Sequence, residues 1–165
     1  MVKIGINGFG RIGRSVFRVL NNREDIEVVA INDIFDKDAL TYLLKYDTVM
    51  GRFPENVSLE GDILKTESES VKLIAERDPT SLPWGELGVD IVIESTGIFR
   101  QKSQLENHLK AGAKRVVLTV PSKDDIESFP DLQNGPSSLI QGSPVAIHQV
   151  DVSYTHLTLP TKRIV

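Results

Sequence analysis

The chain contains no cysteine, which excludes disulfides, thiolate metal sites and any cysteine nucleophile within its 165 residues. It also lacks an excess of basic charge. A net charge of −4 and a pI near 5.4 leave no electrostatic footprint for nucleic acid or an acidic membrane. Long hydrophobic runs are absent, so no segment reads as a bilayer span, and no signal peptide precedes the first apolar strand. These absences set the expectation of a cytoplasmic protein with neither nucleic-acid nor membrane partners. No metal site is expected. Aromatic residues make up only 6%, yet a hydrophobic content of 40% over this length can bury the core of one domain.

What the chain does have is glycine at three spaced positions near its start. Residues Ile4 to Arg14 run from an apolar strand, with Val2, Ile4 and Ile6 alternating, through Gly8, Gly10 and Gly13 into an amphipathic helix. In such a turn Gly8 permits the sharp exit from the strand, Gly10 lets backbone N–H groups approach a pyrophosphate, and Gly13 lets the helix pack closely. The helix start adds partial positive charge and free donors, which together make a phosphate cradle. The spacing of Ile12, Val16, Val19 and Leu20 sets these four inward on the helix.

A second strand follows at Glu27–Asn32, and Asp33 stands at its end, about 20 residues after the last glycine of the turn. A carboxylate there accepts hydrogen bonds from adenosine ribose hydroxyls and repels a 2′-phosphate, so the site should prefer NAD over NADP. Read alone, Asp33 is equally a strand-end acid or the N-cap of the next helix. The pattern continues with a helix over Asp38–Lys45, a β-excursion turning at Glu60-Gly61-Asp62, a strand around Val71–Ile74 and a break at Asp78-Pro79-Thr80. An apolar run over Val89–Glu94, a helix over 102–111 with Leu105 and Leu109 inward, and a strand over Arg115–Val120 complete it. Strands alternating with helices in this order imply an α/β fold with a doubly wound parallel sheet, Rossmann-like, whose ligand lies at the carboxyl ends of the strands.

Five collinear segments, Asn7–Arg14, Ile31–Asp33, Lys45–Phe53, Glu94–Phe99 and Lys110–Val117, resemble glyceraldehyde-3-phosphate dehydrogenase. The resemblance covers residues 1–126 and implies the family's NAD-binding domain. It implies an oxidoreductase of glycolysis and gluconeogenesis that converts glyceraldehyde 3-phosphate, NAD and phosphate into 1,3-bisphosphoglycerate, acting as a tetramer. Carried over by position, Arg11 and Ile12 would place backbone amides at the pyrophosphate, and Asp33 would hold the adenosine ribose. Arg77 would offer a backbone group beside the adenine, Thr96 and Gly97 would line the cofactor, Phe99 would stand near the adenine ring, and Thr119 near the nicotinamide. Thr119 also reads as a β-branched strand residue and Arg77 as a solvated charge before a turn. Asp47 and Arg52 read either as a turn pair or as site residues.

The chain departs from the family in its chemistry. The reaction needs a thiolate to attack the aldehyde and a histidine to act as base toward that thiol. The Ser-Cys-Thr-Thr-Asn nucleophile motif is absent, and so is the substrate domain. His108 reads as a surface residue, and His148 and His156 lie in the unmatched segment, so no catalytic residue is assigned. A small phosphorylated aldehyde is therefore expected as a partner only of the full-length family. From about Glu127 the composition becomes turn-rich and weakly periodic, and residues 127–165 are expected to be a poorly ordered tail. Its last stretch resembles translated adapter DNA appended to an interrupted reading frame; the competing reading is a genuine tail docked on the sheet edge. Erythrose-4-phosphate dehydrogenase of the same superfamily and a non-catalytic nucleotide-binding module remain as alternatives.

Overall fold

The computed structural model describes residues 1–124 and the backbone of a short strand at 145–147. The first apolar run forms β1 (Val2–Asn7), which enters α1 (Arg11–Leu20) through the glycine turn. Then come β2 (Ile26–Asn32) and α2 (Lys37–Lys45), whose N-cap Asp36 accepts a 2.9 Å bond from the Ala39 amide. A hairpin of β3 (Tyr46–Asp47) and β4 (Gly51–Arg52) and a meander of β5 (Ser58–Glu60), β6 (Ile63–Lys65) and β7 (Ser70–Ile74) lead to a short 3₁₀ turn at Pro79–Ser81. The second half contains β8 (Ile91–Glu94), α3 (Lys102–Lys110), β9 (Arg115–Leu118) and β10 (Val145–Ile147).

Among the described residues the main sheet has eight strands in the order β10-β9-β8-β1-β2-β7-β6-β5. The six from β10 to β7 are mutually parallel, and β6 and β5 extend the edge antiparallel. The chain leaves β1 toward β2 and β7, then returns to the other side of β1 with β8. That reversal opens a crevice beyond the carboxyl ends of β1 and β8, the place where doubly wound sheets hold ligands. β10 lies within the segment expected to be poorly ordered and pairs in parallel with β9. The remaining features of that segment, including Pro130, Asn134, His148 and His156, lie outside the described residues.

The pleat divides the core between the two faces of the sheet. Ile4 and Ile6 join Phe9, Phe17, Leu40, Leu44 and Phe53 on one side, where Phe9 meets Phe17 edge-on at 5.8 Å. Gly5, between them, faces the other way, and a β-carbon there would come within 2.9 Å of the buried Trp84 ring. That second cluster gathers Trp84, Val92, Leu105, Val116 and Leu118.

Two expectations are corrected. Val19 is 61% exposed rather than inward, because α1 rests on the sheet through Gly13, Phe17 and the stem of Arg18. The Arg18 guanidinium donates to the Leu44 carbonyl and lies over the Phe53 ring, so a charged residue occupies part of the helix's buried face. His108, expected at the surface, is fully buried. With Leu105 three residues earlier it forms the stripe by which α3 packs on the sheet.

Candidate functional site: a cleft at the carboxyl edge of the sheet

A cleft of about 450 Å³ opens at the carboxyl ends of β1, β2 and β8. Its floor is polar: Asn7 ends β1, Asn32 ends β2, and Ser95 and Thr96 follow β8. Gly8, Gly10, Asp33, Ile34, Glu76, Arg77, Pro79, Ile98 and Phe99 complete the lining.

The glycine turn is built by packing as much as by conformation. Gly8 has φ +94°, and a β-carbon on it would stand 2.6 Å from the Thr96 nitrogen. A β-carbon on Gly13 would overlap the Gly8 carbonyl oxygen, so the absence of a side chain is what lets α1 sit against the turn. Gly10 differs from both. Its φ of −68° suits any residue, and a β-carbon on it would meet nothing within 4 Å. It is also the N-cap of α1, which has no side-chain cap and no acidic residue in its first turn. The first intrahelical bond runs from the Arg14 amide to the Gly10 carbonyl at 3.0 Å, leaving the N–H groups at the helix start to the cleft side.

Asp33 fastens this turn to β2. One carboxylate oxygen accepts from the Phe9 amide at 2.6 Å and the other from the Phe35 amide at 2.9 Å. Arg77 is exposed beside the cleft, and its amide donates to the Glu76 side chain at 2.7 Å. Ile34 and Ile98 stand at the mouth, 58% and 70% exposed, and offer apolar surface to a flat ring.

Of the expected site residues, Gly8, Gly10, Asp33, Arg77, Thr96 and Phe99 line the cleft. Arg11, Ile12 and Gly13 form the first turn of α1 behind Gly10, and Gly97 adjoins Thr96 with φ +73°. Thr119 lies apart. It is buried just after β9, and its hydroxyl donates to the Glu94 carbonyl at 3.1 Å. Asp47 accepts from the Val49 and Met50 amides, both at 2.8 Å, and these bonds hold its carboxyl below the usual range. Arg52 stacks over the Tyr46 ring, so this pair belongs to the hairpin rather than the cleft lining.

Several lining residues escaped the reading of the sequence, among them Asn7, Asn32, Ile34, Glu76 and Ile98. The signal available was position: Asn7 and Asn32 end strands, and Ile34, Glu76 and Ile98 follow within four residues of strands that point at the crevice.

A family model described as "Glyceraldehyde 3-phosphate dehydrogenase, NAD binding domain" matches residues 2–102. The cytosolic glyceraldehyde-3-phosphate dehydrogenase of Trypanosoma brucei brucei is 49% identical over 129 residues, which is 78% of this chain and 39% of the relative. The enzymes of Escherichia fergusonii and Geobacillus stearothermophilus are each 52% identical, over 128 and 124 residues, covering 78% and 75% of this chain. They are matched over 39% and 37% of their own lengths, so this chain spans about two fifths of the relatives it resembles.

Proposed function

The chain belongs to the glyceraldehyde-3-phosphate dehydrogenase family and carries its NAD-binding domain, and on that premise we propose how its cleft holds NAD. The observation that carries this reading is the uncapped start of α1 behind Gly10, with open space where a side chain would stand. The amides of Arg11 and Ile12 would take the pyrophosphate there, and Gly8 and Gly13 hold the turn that aims them. Asp33 would bind the adenosine ribose with the lone pairs left over from the Phe9 and Phe35 amides. The adenine would lie between the Arg77 backbone and Phe99, with Thr96 and Gly97 along its path and Thr119 bounding the nicotinamide end. When bound, NAD supplies a two-electron acceptor.

We assign the NAD-binding unit to residues 1–126, an extent that the relatives' matches of 129, 128 and 124 residues support, with β10 (Val145–Ile147) adding one further strand at the edge of its sheet. For a whole protein of this family, the relatives' names support a small phosphorylated aldehyde as substrate and favour glyceraldehyde 3-phosphate over erythrose 4-phosphate. The resemblance supports a tetramer, and the name of the trypanosome relative supports a cytoplasmic location.

The present chain has no cysteine, so it offers no thiol to form a covalent adduct with an aldehyde. Incubated with glyceraldehyde 3-phosphate, phosphate and NAD, the purified chain should bind NAD yet produce no NADH above the blank. NADH production that survives removal of host enzyme would overturn this reading.

A further inference from the structure

Glu94 ends β8 fully buried, and it does not itself line the cleft. Its carboxylate is nevertheless surrounded by donors. One oxygen accepts from both the Thr96 amide, at 2.9 Å, and the Thr96 hydroxyl. The other accepts from the Asn7 side-chain amide at 2.5 Å and faces His108 Nε2 at 3.0 Å. His108 Nδ1 in turn accepts from the indole N–H of Trp84 at 3.1 Å. That bond fixes the tautomer: Nδ1 carries no proton, so Nε2 bears the hydrogen and donates it to Glu94.

From this carboxylate the bonds run outward to the cleft. Thr96 Oγ1 accepts from the Ile98 amide at 3.1 Å. Asn7 Oδ1 accepts from the Asn32 side chain at 2.7 Å, and Asn32 clasps Glu76 at both its amide and its carbonyl, at 2.8 and 2.9 Å. One buried charge thus ties together the ends of β1, β2 and β8 and the segment after β7. A buried carboxylate is a costly way to stabilise a core, since an apolar side chain of similar volume does so without desolvating a charge. Every partner of this one except His108 stands at the cleft.

We propose that Glu94 is the positioning residue of the cleft and that His108, oriented by Trp84, holds its carboxylate in place from the far side. Glu94 then sets dinucleotide affinity without touching the dinucleotide, an inference that rests on the NAD reading of the cleft. The geometry also explains why a histidine occupies the buried face of α3. A hydrocarbon there would leave one lone pair of Glu94 without a donor.

The test compares His108→Leu with His108→Gln in the 165-residue chain, because glutamine keeps an N–H within reach of Glu94 and leucine does not. Both variants lose the Trp84 bond geometry and some packing, so a merely structural role predicts that they behave alike. The proposal predicts an NAD dissociation constant about tenfold weaker in His108→Leu and within about twofold of the parent in His108→Gln, the effect of losing one hydrogen bond to a charged group. Amide hydrogen exchange supplies a readout that needs no NAD. In His108→Leu the Thr96, Ile98 and Glu76 amides should exchange faster, whereas the Phe9 amide, bonded to Asp33, should keep its protection. If the parent fails to bind NAD, the NAD reading falls and the exchange pattern alone decides the positioning role. Equal affinities and equal exchange in the two variants would overturn the proposal.

Discussion

A β-carbon on Gly13 would overlap the Gly8 carbonyl oxygen, and one on Gly8 would press on the backbone of Ser95 and Thr96. Neither neighbour can yield as a flexible side chain would. Gly13→Ala should therefore destabilise the fold by about 2 kcal/mol, lowering the melting temperature by several degrees; thermal unfolding followed by circular dichroism checks this. A change under about 1 °C would mean that α1 slides on the turn at little cost. Asp33 carries two roles that a single deletion would confuse, since its carboxylate both binds the Phe9 amide and faces the cleft. Asp33→Asn removes the charge while its amide oxygen still accepts from Phe9, at the cost of the Phe35 bond, whose N–H would face the new NH2 group. The preference for NAD over NADP should narrow severalfold in paired titrations, with a melting temperature lowered by a few degrees for the lost Phe35 bond. An unchanged ratio would show that the carboxylate does not face the ribose. The three glycines were legible because their spacing is imposed by the turn. Their division of labour was not, since only the neighbours of each α-carbon distinguish Gly10 from Gly8.

The elements followed local chemistry wherever a turn or a cap was decisive. Glu60-Gly61-Asp62 does join β5 to β6, and Gly61 takes φ +60° there. The helix over Lys37–Lys45 begins on its Asp36 cap. In the sequence, α3 shows its leucines as the inward stripe, and His108 reads as a surface residue. The partners that make its burial tolerable, Glu94 at the end of β8 and Trp84 in the segment before it, are 14 and 24 residues away and meet it only in the folded chain. The turn between β6 and β7 shows the opposite case, a half-buried acid without enough partners. Glu69 accepts from the Val28 amide at 3.4 Å with one oxygen, and the other is buried with no partner. Burial pushes its carboxyl above the ordinary carboxylate range, and the nearby Glu27 and Glu55 add to the shift. The folded chain therefore holds this proton more tightly than the unfolded chain. The stability so gained is complete below the unfolded pKa and is lost as the pH rises through the folded one. Glu69→Gln should then melt about 1–3 °C higher than the parent at pH 7, and the gap should close in acid. Melting curves at pH 7 and pH 4 check this; a lower melting temperature at pH 7 would contradict it.

At the scale of the molecule, the parallel sheet was legible because near-continuous apolar runs alternate with amphipathic helices. The position of the cleft follows from the reversal of strand order at β1. What the sequence could not display was the polar network at and beneath the cleft floor. Asn7, Asn32 and Glu94 are distant in sequence and become neighbours only when β1 pairs with β2 and β8 in register, Asn7 opposite both Asn32 and Glu94. That registry sets a polar network beneath the NAD-binding cleft of a chain that contains no cysteine. In the proposed site the amides of Arg11 and Ile12 receive the pyrophosphate in the open space above Gly10. Calorimetric titration of NAD into the parent and Gly10→Val tests it most directly, because Gly10 has an ordinary φ and open space above it, so the fold should tolerate the change. The account predicts saturable binding at one site in the parent and a loss of about a hundredfold or more in Gly10→Val, with unfolding temperatures within about 2 °C of each other. Equal NAD affinity in the two proteins would contradict it.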